Sequence, residues 1–172
     1  MFLSTKTFGH DLGLSAAFRQ PKATHSHCSK LHGYALSFKF TFGTRYLDDR
    51  NWAVDFGGLK DLKQHLVEMF DHRTCVDIND PELAWFTQAH EKGILDLQVF
   101  RRGVGCERFA QYAFEAAEEV LIKAFPASSS GQRRVFTISC ECSEHGANSA
   151  IYMGAENAAI MGNVLNRESS NQ

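Results

Sequence analysis

Residues 34–42 constrain this chain more than any other stretch. They place Leu36, Phe38, Phe40 and Phe42 on one side of a two-residue repeat and Ser37, Lys39 and Thr41 on the other. A helix would scatter these side chains around its circumference. A strand lines them up, with one face buried and one wetted. The chain must therefore build a sheet and cover one side of it. Two amphipathic stretches can supply the cover. After Asp55, a plausible N-cap, Leu59, Leu62, Leu66, Met69 and Phe70 recur at helical spacing. Residues 106–125 present Phe109, Tyr112, Ala113, Ala116, Ala117, Val120 and Leu121 in the same way, and Pro126 with the serine run 128–130 and Gly131 stops them.

The rest reads more faintly. A first strand is expected over 8–17, weakened by Gly9 and Gly13, followed by a polar loop over 19–30. Residues 43–51 are a charged connection. The span 79–103 is mixed, with a short helix around 82–90 and a strand candidate at 95–100. Strands are expected at 134–142 and 149–153, joined through a tight connection at 144–148. The order strand, strand, helix, helix, strand, strand predicts an α+β fold: a four-stranded antiparallel sheet with two helices on one face. At 172 residues one domain is expected, spanning 1–156, with a polar C-terminal tail at 157–172.

Composition excludes some function classes. A net charge of −2 and a pI near 6.4 give no basic field for nucleic acid. No apolar run is long enough to span a bilayer, and the first six residues lack a signal-peptide layout. Five cysteines, an odd number with no CxxC pair, point to free thiols in a reducing, cytoplasmic setting and argue against a structural zinc knot.

The chemistry gathers at Cys28-Ser29-Lys30-Leu31-His32-Gly33-Tyr34, just before the strongest strand. A thiol and an imidazole this close can form a nucleophile–base pair or share a metal. His25 and His27 lie upstream, and Asp71-His72 closes the first helix. A thiol on one element and an Asp–His pair on another are the parts of a proton-transfer site. Cys75, Cys140 and Cys142 read as packing residues, and His10, His65 and His90 as surface. The pairs Arg101-Arg102 and Arg133-Arg134 suit a triphosphate, although solvated surface is the preferred reading.

Four motifs in order resemble the 6-pyruvoyl-tetrahydropterin synthase family, including its 6-carboxy-tetrahydropterin synthase branch, over residues 8–154. Cys28-x-x-Leu31-His32-Gly33 looks like C-x-x-L-H-G-H. Val54-Asp55-Phe56 followed by Leu59-Lys60 looks like the helix-opening segment. Phe70-Asp71-His72 looks like L-D-H, and Glu144 stands ahead of Ile151-Tyr152 as a glutamate does in the family. The resemblance implies a T-fold whose subunits join sheets edge to edge into a barrel, two trimeric rings stacking into a homohexamer with active sites between subunits. It implies Cys28 as the catalytic thiol, Asp71 with His72 as its partner dyad, and Glu144 as the pterin anchor. Glu107 and backbone groups near Cys106 would complete substrate binding.

The family also implies a zinc ion held by three histidines, and there the chain departs. Phe18 stands in the first ligand position and Tyr34 in the third, so only His32 matches. A catalytic zinc needs about three protein ligands and an open position. Three explanations stay open: a rebuilt site drawing on His32 and His27, with His25 or His145 as further donors; loss of the metal; or Tyr34 acting as an oxygen ligand or proton donor. The first is preferred. The function the resemblance implies is 6-carboxy-tetrahydropterin synthase-like lyase activity on 7,8-dihydroneopterin triphosphate in 7-deazaguanine (queuosine-type) biosynthesis. The alternatives are 6-pyruvoyl-tetrahydropterin synthase activity, an aldolase-type cleavage of dihydroneopterin, or a non-catalytic pterin- or purine-binding T-fold protein. A small-molecule pterin and copies of the chain itself are the expected partners.

Overall fold

The computed structural model describes residues 1–129 and 131–154; the tail expected at 157–172 lies outside the described residues. The elements are β1 (Phe2–Phe8), β2 (Leu14–Phe18), β3 (His32–Thr44), α1 (Lys60–Phe70), β4 (Arg73–Asp77), α2 (Leu83–Glu91), β5 (Asp96–Phe100), α3 (Cys106–Ala124), β6 (Val135–His145) and β7 (Asn148–Met153).

The predicted central strand is the spine of the sheet. Leu36, Phe38, Phe40 and Phe42 are completely buried on its inner face, while Lys39 points to solvent. Strand β6 pairs antiparallel along one edge, with Phe38 opposite Cys142 and Phe40 opposite Cys140, and β7 pairs antiparallel with β6. The other edge is shared by two strands. Strand β1 pairs with it from Phe2↔Thr44 to Phe8↔Phe38, and β2 from Leu14↔Leu36 to Phe18↔His32. Residues 9–13 therefore bulge opposite Ser37 alone. They form a single 3₁₀ turn, His10–Leu12, which Gly13 closes at φ 74°. Gly13 is the residue type that enters this left-handed region without steric cost. The strand expected at 8–17 is thus two strands around a bulge.

The sheet itself corrects the sequence reading. Strand β4 runs parallel to β2, with Ala16↔Arg73 and Phe18↔Cys75, and β5 runs parallel to β4. The order is β5-β4-β2-β3-β6-β7 with β1 beside β3. The described residues thus form a mixed seven-stranded sheet with three α-helices rather than a four-stranded antiparallel sheet with two. The sequence offered no pattern for β4: Thr74, Cys75 and Val76 are all buried, so nothing alternates.

Helix α3 lies close on the sheet because the residues it presents are small. Ala110, Ala113 and Ala117 are fully buried beside Phe109 and Leu121. Helix α1 buries Leu62, Leu66 and Phe70. The Asp55 carboxylate accepts the Gly57 amide at 2.8 Å, which caps the 3₁₀ turn Phe56–Leu59 ahead of α1. Phe70 stacks on Phe38 at 4.9 Å between ring centres and meets Phe109 at 5.1 Å.

One ion pair ties the end of β2 to the turn before α2. Arg19 donates Nε to Asp80 Oδ2 at 2.9 Å and Nη2 to Oδ1 at 2.5 Å. Burial alone would push the Asp80 carboxyl up. The Arg19 hydrogen bonds, the Glu82 amide and the Arg19 charge outweigh it and hold the group below its ordinary value. Stability from this pair is therefore complete above about pH 4, the ordinary carboxylate value, and is lost as pH falls through the lowered one. Asp80→Ala is expected to destabilise the chain by about 2–3 kcal/mol, discounted below the roughly 3–5 kcal/mol of a fully buried pair because Arg19 keeps a fifth of its side chain exposed. The variant's denaturant midpoint should also lose part of its acid dependence below pH 4.

Candidate active site

The inner face of β3 does not stop where its hydrocarbon row stops. Two residues before Leu36 comes Tyr34, and two before that His32, on the same face and half-buried. Phe18 is the cross-strand partner of His32 and is 2% exposed. The rings of Phe18 and His32 lie 5.3 Å apart, those of His32 and Tyr34 5.3 Å, and those of Phe18 and Tyr34 6.2 Å. Phe109 supports Phe18 from below, edge to face at 5.0 Å. The site is thus a polar continuation of the core at one end of the sheet.

Strand β6 contributes the second wall. Cys142 is fully buried, Glu144 follows two residues on, and the His145 ring lies 6.0 Å from Tyr34. Cys106, the first residue of α3, hydrogen-bonds Cys142, whose thiol is pushed well up first by burial and then by Cys106. Burial raises the Tyr34 phenol, and nearby negative charge on Glu144, Cys28 and Cys106 raises it further. The structure thereby gathers the rings of Phe18, His32 and His145 around Tyr34, with Glu144 the residue before His145 on β6.

Cys28 itself is exposed, on the 3₁₀ turn His27–Ser29, and its amide is held by Ser26 Oγ at 3.0 Å. The sequence reading missed what ties this turn to the site. The Gln20 amide donates to the Cys28 carbonyl at 2.7 Å, and the Gln20 side chain donates to the Val104 carbonyl at 3.4 Å. One glutamine thereby joins the thiol loop to the start of α3. Gly105, at φ 114°, makes room for it, because a Cβ there would stand 2.5 Å from the Gln20 side-chain nitrogen. Its spacing from Cys28 carried no signal. Glu107 is exposed on the first turn of α3 beside this junction.

Asp71 and His72 stand elsewhere. Asp71 Oδ1 accepts the Ser15 amide at 3.4 Å, near the start of β2, whereas Gln20 and Cys28 lie beyond its end. The length of β2 separates the dyad from the thiol within one chain. The dyad is nonetheless well formed, with His72 Nδ1 2.8 Å from Asp71 Oδ1. His72 follows the α1 C-cap with φ 56°, a backbone region that side chains other than glycine rarely adopt.

The donors for a metal do not fit. His27 is exposed on its turn, and His32, whose Nδ1 meets the Lys30 carbonyl at 2.7 Å, has Nε2 alone to offer a metal. No three His, Cys, Asp or Glu side chains gather to hold a metal among the described residues. Nor is any described helix long and apolar enough to cross a membrane.

A family model for 6-pyruvoyl tetrahydropterin synthase matches residues 10–155. The chain belongs to the 6-pyruvoyl tetrahydropterin synthase family. Two curated 6-carboxy-5,6,7,8-tetrahydropterin synthases resemble parts of it. The Aquifex aeolicus protein is 32% identical over 69 residues, which is 40% of this chain and 42% of that one. The Rickettsia bellii protein is 33% identical over 64 residues, 37% of this chain and 46% of that one. The chain thus aligns with less than half the length of each. Among solved structures, an uncharacterised Wolinella succinogenes protein superposes with a TM-score of 0.69 at 18% identity, covering 89% of this chain and 98% of the other. The 6-pyruvoyl tetrahydropterin synthase of Caenorhabditis elegans gives 0.53 at 19%, covering 90% and 94%. The family's T-fold is the fold of this chain, with its mixed sheet and three helices.

Proposed function

We propose that the chain is a lyase of the 6-carboxy-tetrahydropterin synthase kind, acting on 7,8-dihydroneopterin triphosphate and feeding 7-deazaguanine synthesis. The observation that carries this reading is the family match over residues 10–155, whose partial relatives here bear the carboxy name, with the His32, Tyr34 and His145 rings clustered beside Glu144. Glu144 accepts the N–H edge of the pterin, a paired contact that fixes ring orientation. Glu107 and the backbone at Cys106, on the first turn of α3, complete the contacts to the substrate. Cys28 takes or relays a proton from the C6 side chain, and His72, oriented by Asp71, is the second acid or base. The carboxy product follows loss of triphosphate and a two-carbon fragment; the pyruvoyl product would follow loss of triphosphate alone.

Because the dyad and the thiol stand at opposite ends of β2, a complete site needs the dyad of a second copy. Strands β5 and β7 each have one partner among the described residues. Their open edges are where sheets could join into the barrel of a hexamer built from two trimers. No step here passes through zinc, since the donor set does not fit it.

Incubation with 7,8-dihydroneopterin triphosphate and mass spectrometry of the products tests the assignment. The carboxy-tetrahydropterin is expected; a pyruvoyl product would move the chain to the other branch, and unchanged substrate would make it a binding protein. Glu144→Ala is expected to weaken pterin binding about ten- to a hundredfold, measured by fluorescence titration, because it leaves donor groups of the ring unpaired.

A further inference from the structure

Phe18, His32 and Tyr34 form a cluster in which only one member can ligate a metal. Phe18 has no donor atom, and His32 has one nitrogen left beside its bond to Lys30. A tetrahedral catalytic centre needs about three protein donors. What the cluster offers instead is a hydroxyl. The Tyr34 ring is held edge to face by His32, tilted against Phe18 and flanked by His145. Among the described residues its hydroxyl makes no hydrogen bond. Rings fix its position, and its proton remains free to donate. The His145 ring beside Tyr34 belongs to the end of β6, one residue on from Glu144. A donor held in place before the ligand arrives needs no reorganisation when charge develops on an oxygen beside it.

We propose that Tyr34 is a substrate-contacting catalytic residue, donating its O–H to an oxygen of the hydroxylated C6 side chain of a bound pterin, where a metal ion would otherwise polarise that oxygen. The inference rests on reading the site as a pterin pocket. As Cys28 takes the C–H proton from the carbon that bears this oxygen, the electron pair left behind is delocalised into the conjugated pterin ring, and the Tyr34 hydrogen bond draws density from the C–O bond and makes that proton easier to remove. The phenol hydrogen bond strengthens, and the proton stays on Tyr34. Phe18, 2% exposed, closes the floor with a ring that offers no donor atom.

The test uses the full chain, two probes and a metal titration. Biopterin carries a hydroxylated C6 side chain; 6-methylpterin does not. Tyr34→Phe keeps the ring and its packing. It is expected to weaken biopterin binding about three- to tenfold and to leave 6-methylpterin unchanged, as the loss of one neutral hydrogen bond would. Zinc titrated against a fluorescent chelator should find no micromolar site on the wild-type protein. Equal effects on both pterins, or none, would overturn the role of Tyr34 while leaving the pocket standing. Stoichiometric zinc binding that His32→Ala abolishes would overturn it as well. Wild-type protein that binds neither pterin would defeat the pocket reading and this proposal together.

Discussion

Cys28→Ala is expected to lower kcat by about 10²–10⁴-fold, the range for loss of a positioned acid–base group, while the Kd for pterin stays within about twofold. The separation follows from where the residue sits. Cys28 is exposed on a short turn, and what the structure holds in place there is backbone: its amide to Ser26 and its carbonyl to Gln20. Alanine keeps both bonds, so turn and pocket should survive. Single-turnover kinetics with a parallel fluorescence titration would read the two effects apart. Retained turnover in the alanine variant would remove Cys28 from the chemistry.

Phe109→Ala is expected to cost about 3–5 kcal/mol, as large-to-small changes at buried aromatics do. Against a typical stability of about 5–15 kcal/mol this is a large fraction. Phe109 is fully buried and touches three other rings: Phe18 at 5.0 Å, Phe70 at 5.1 Å and Phe100 at 5.4 Å. Those rings belong to β2, α1 and β5, so the cavity would open where helix and sheet meet. The variant should also loosen Phe18, and through it the ring cluster at the site. Denaturant unfolding gives the first effect, and pterin affinity under folding conditions gives the second. A loss below about 1 kcal/mol would show that neighbouring side chains collapse into the space.

Legibility differed sharply between elements, for physical reasons. Strand β3 and helix α3 were plain because each has one wet and one dry face, and the period of that contrast is written in the residue order. Strand β4 is buried on both faces and pairs in parallel with strands reached through crossovers, so neither alternation nor a tight turn marks it. Strand β1 shares an edge of β3 with β2 only because five residues are looped out between them, and Gly9 and Gly13 hinted at an interruption without giving its size. At the site, motif order pointed to Cys28, Asp71, His72 and Glu144. Spacing could not show that Gln20 joins the thiol loop to α3, or that β2 holds the dyad away from the thiol. Both depend on how a loop closes in space rather than on any local pattern.

The distribution of sulfur has a practical consequence. Cys75, Cys106, Cys140 and Cys142 are buried and Cys28 is exposed. Burial pushes the Cys75 thiol up to about 12 and those of Cys140 and Cys142 well above their ordinary value. A protonated, enclosed thiol is a poor nucleophile. Toward an alkylating electrophile the folded chain therefore presents a single addressable thiol, on the turn His27–Ser29. A reporter dye or a covalent ligand could be installed there without first mutating the other four cysteines.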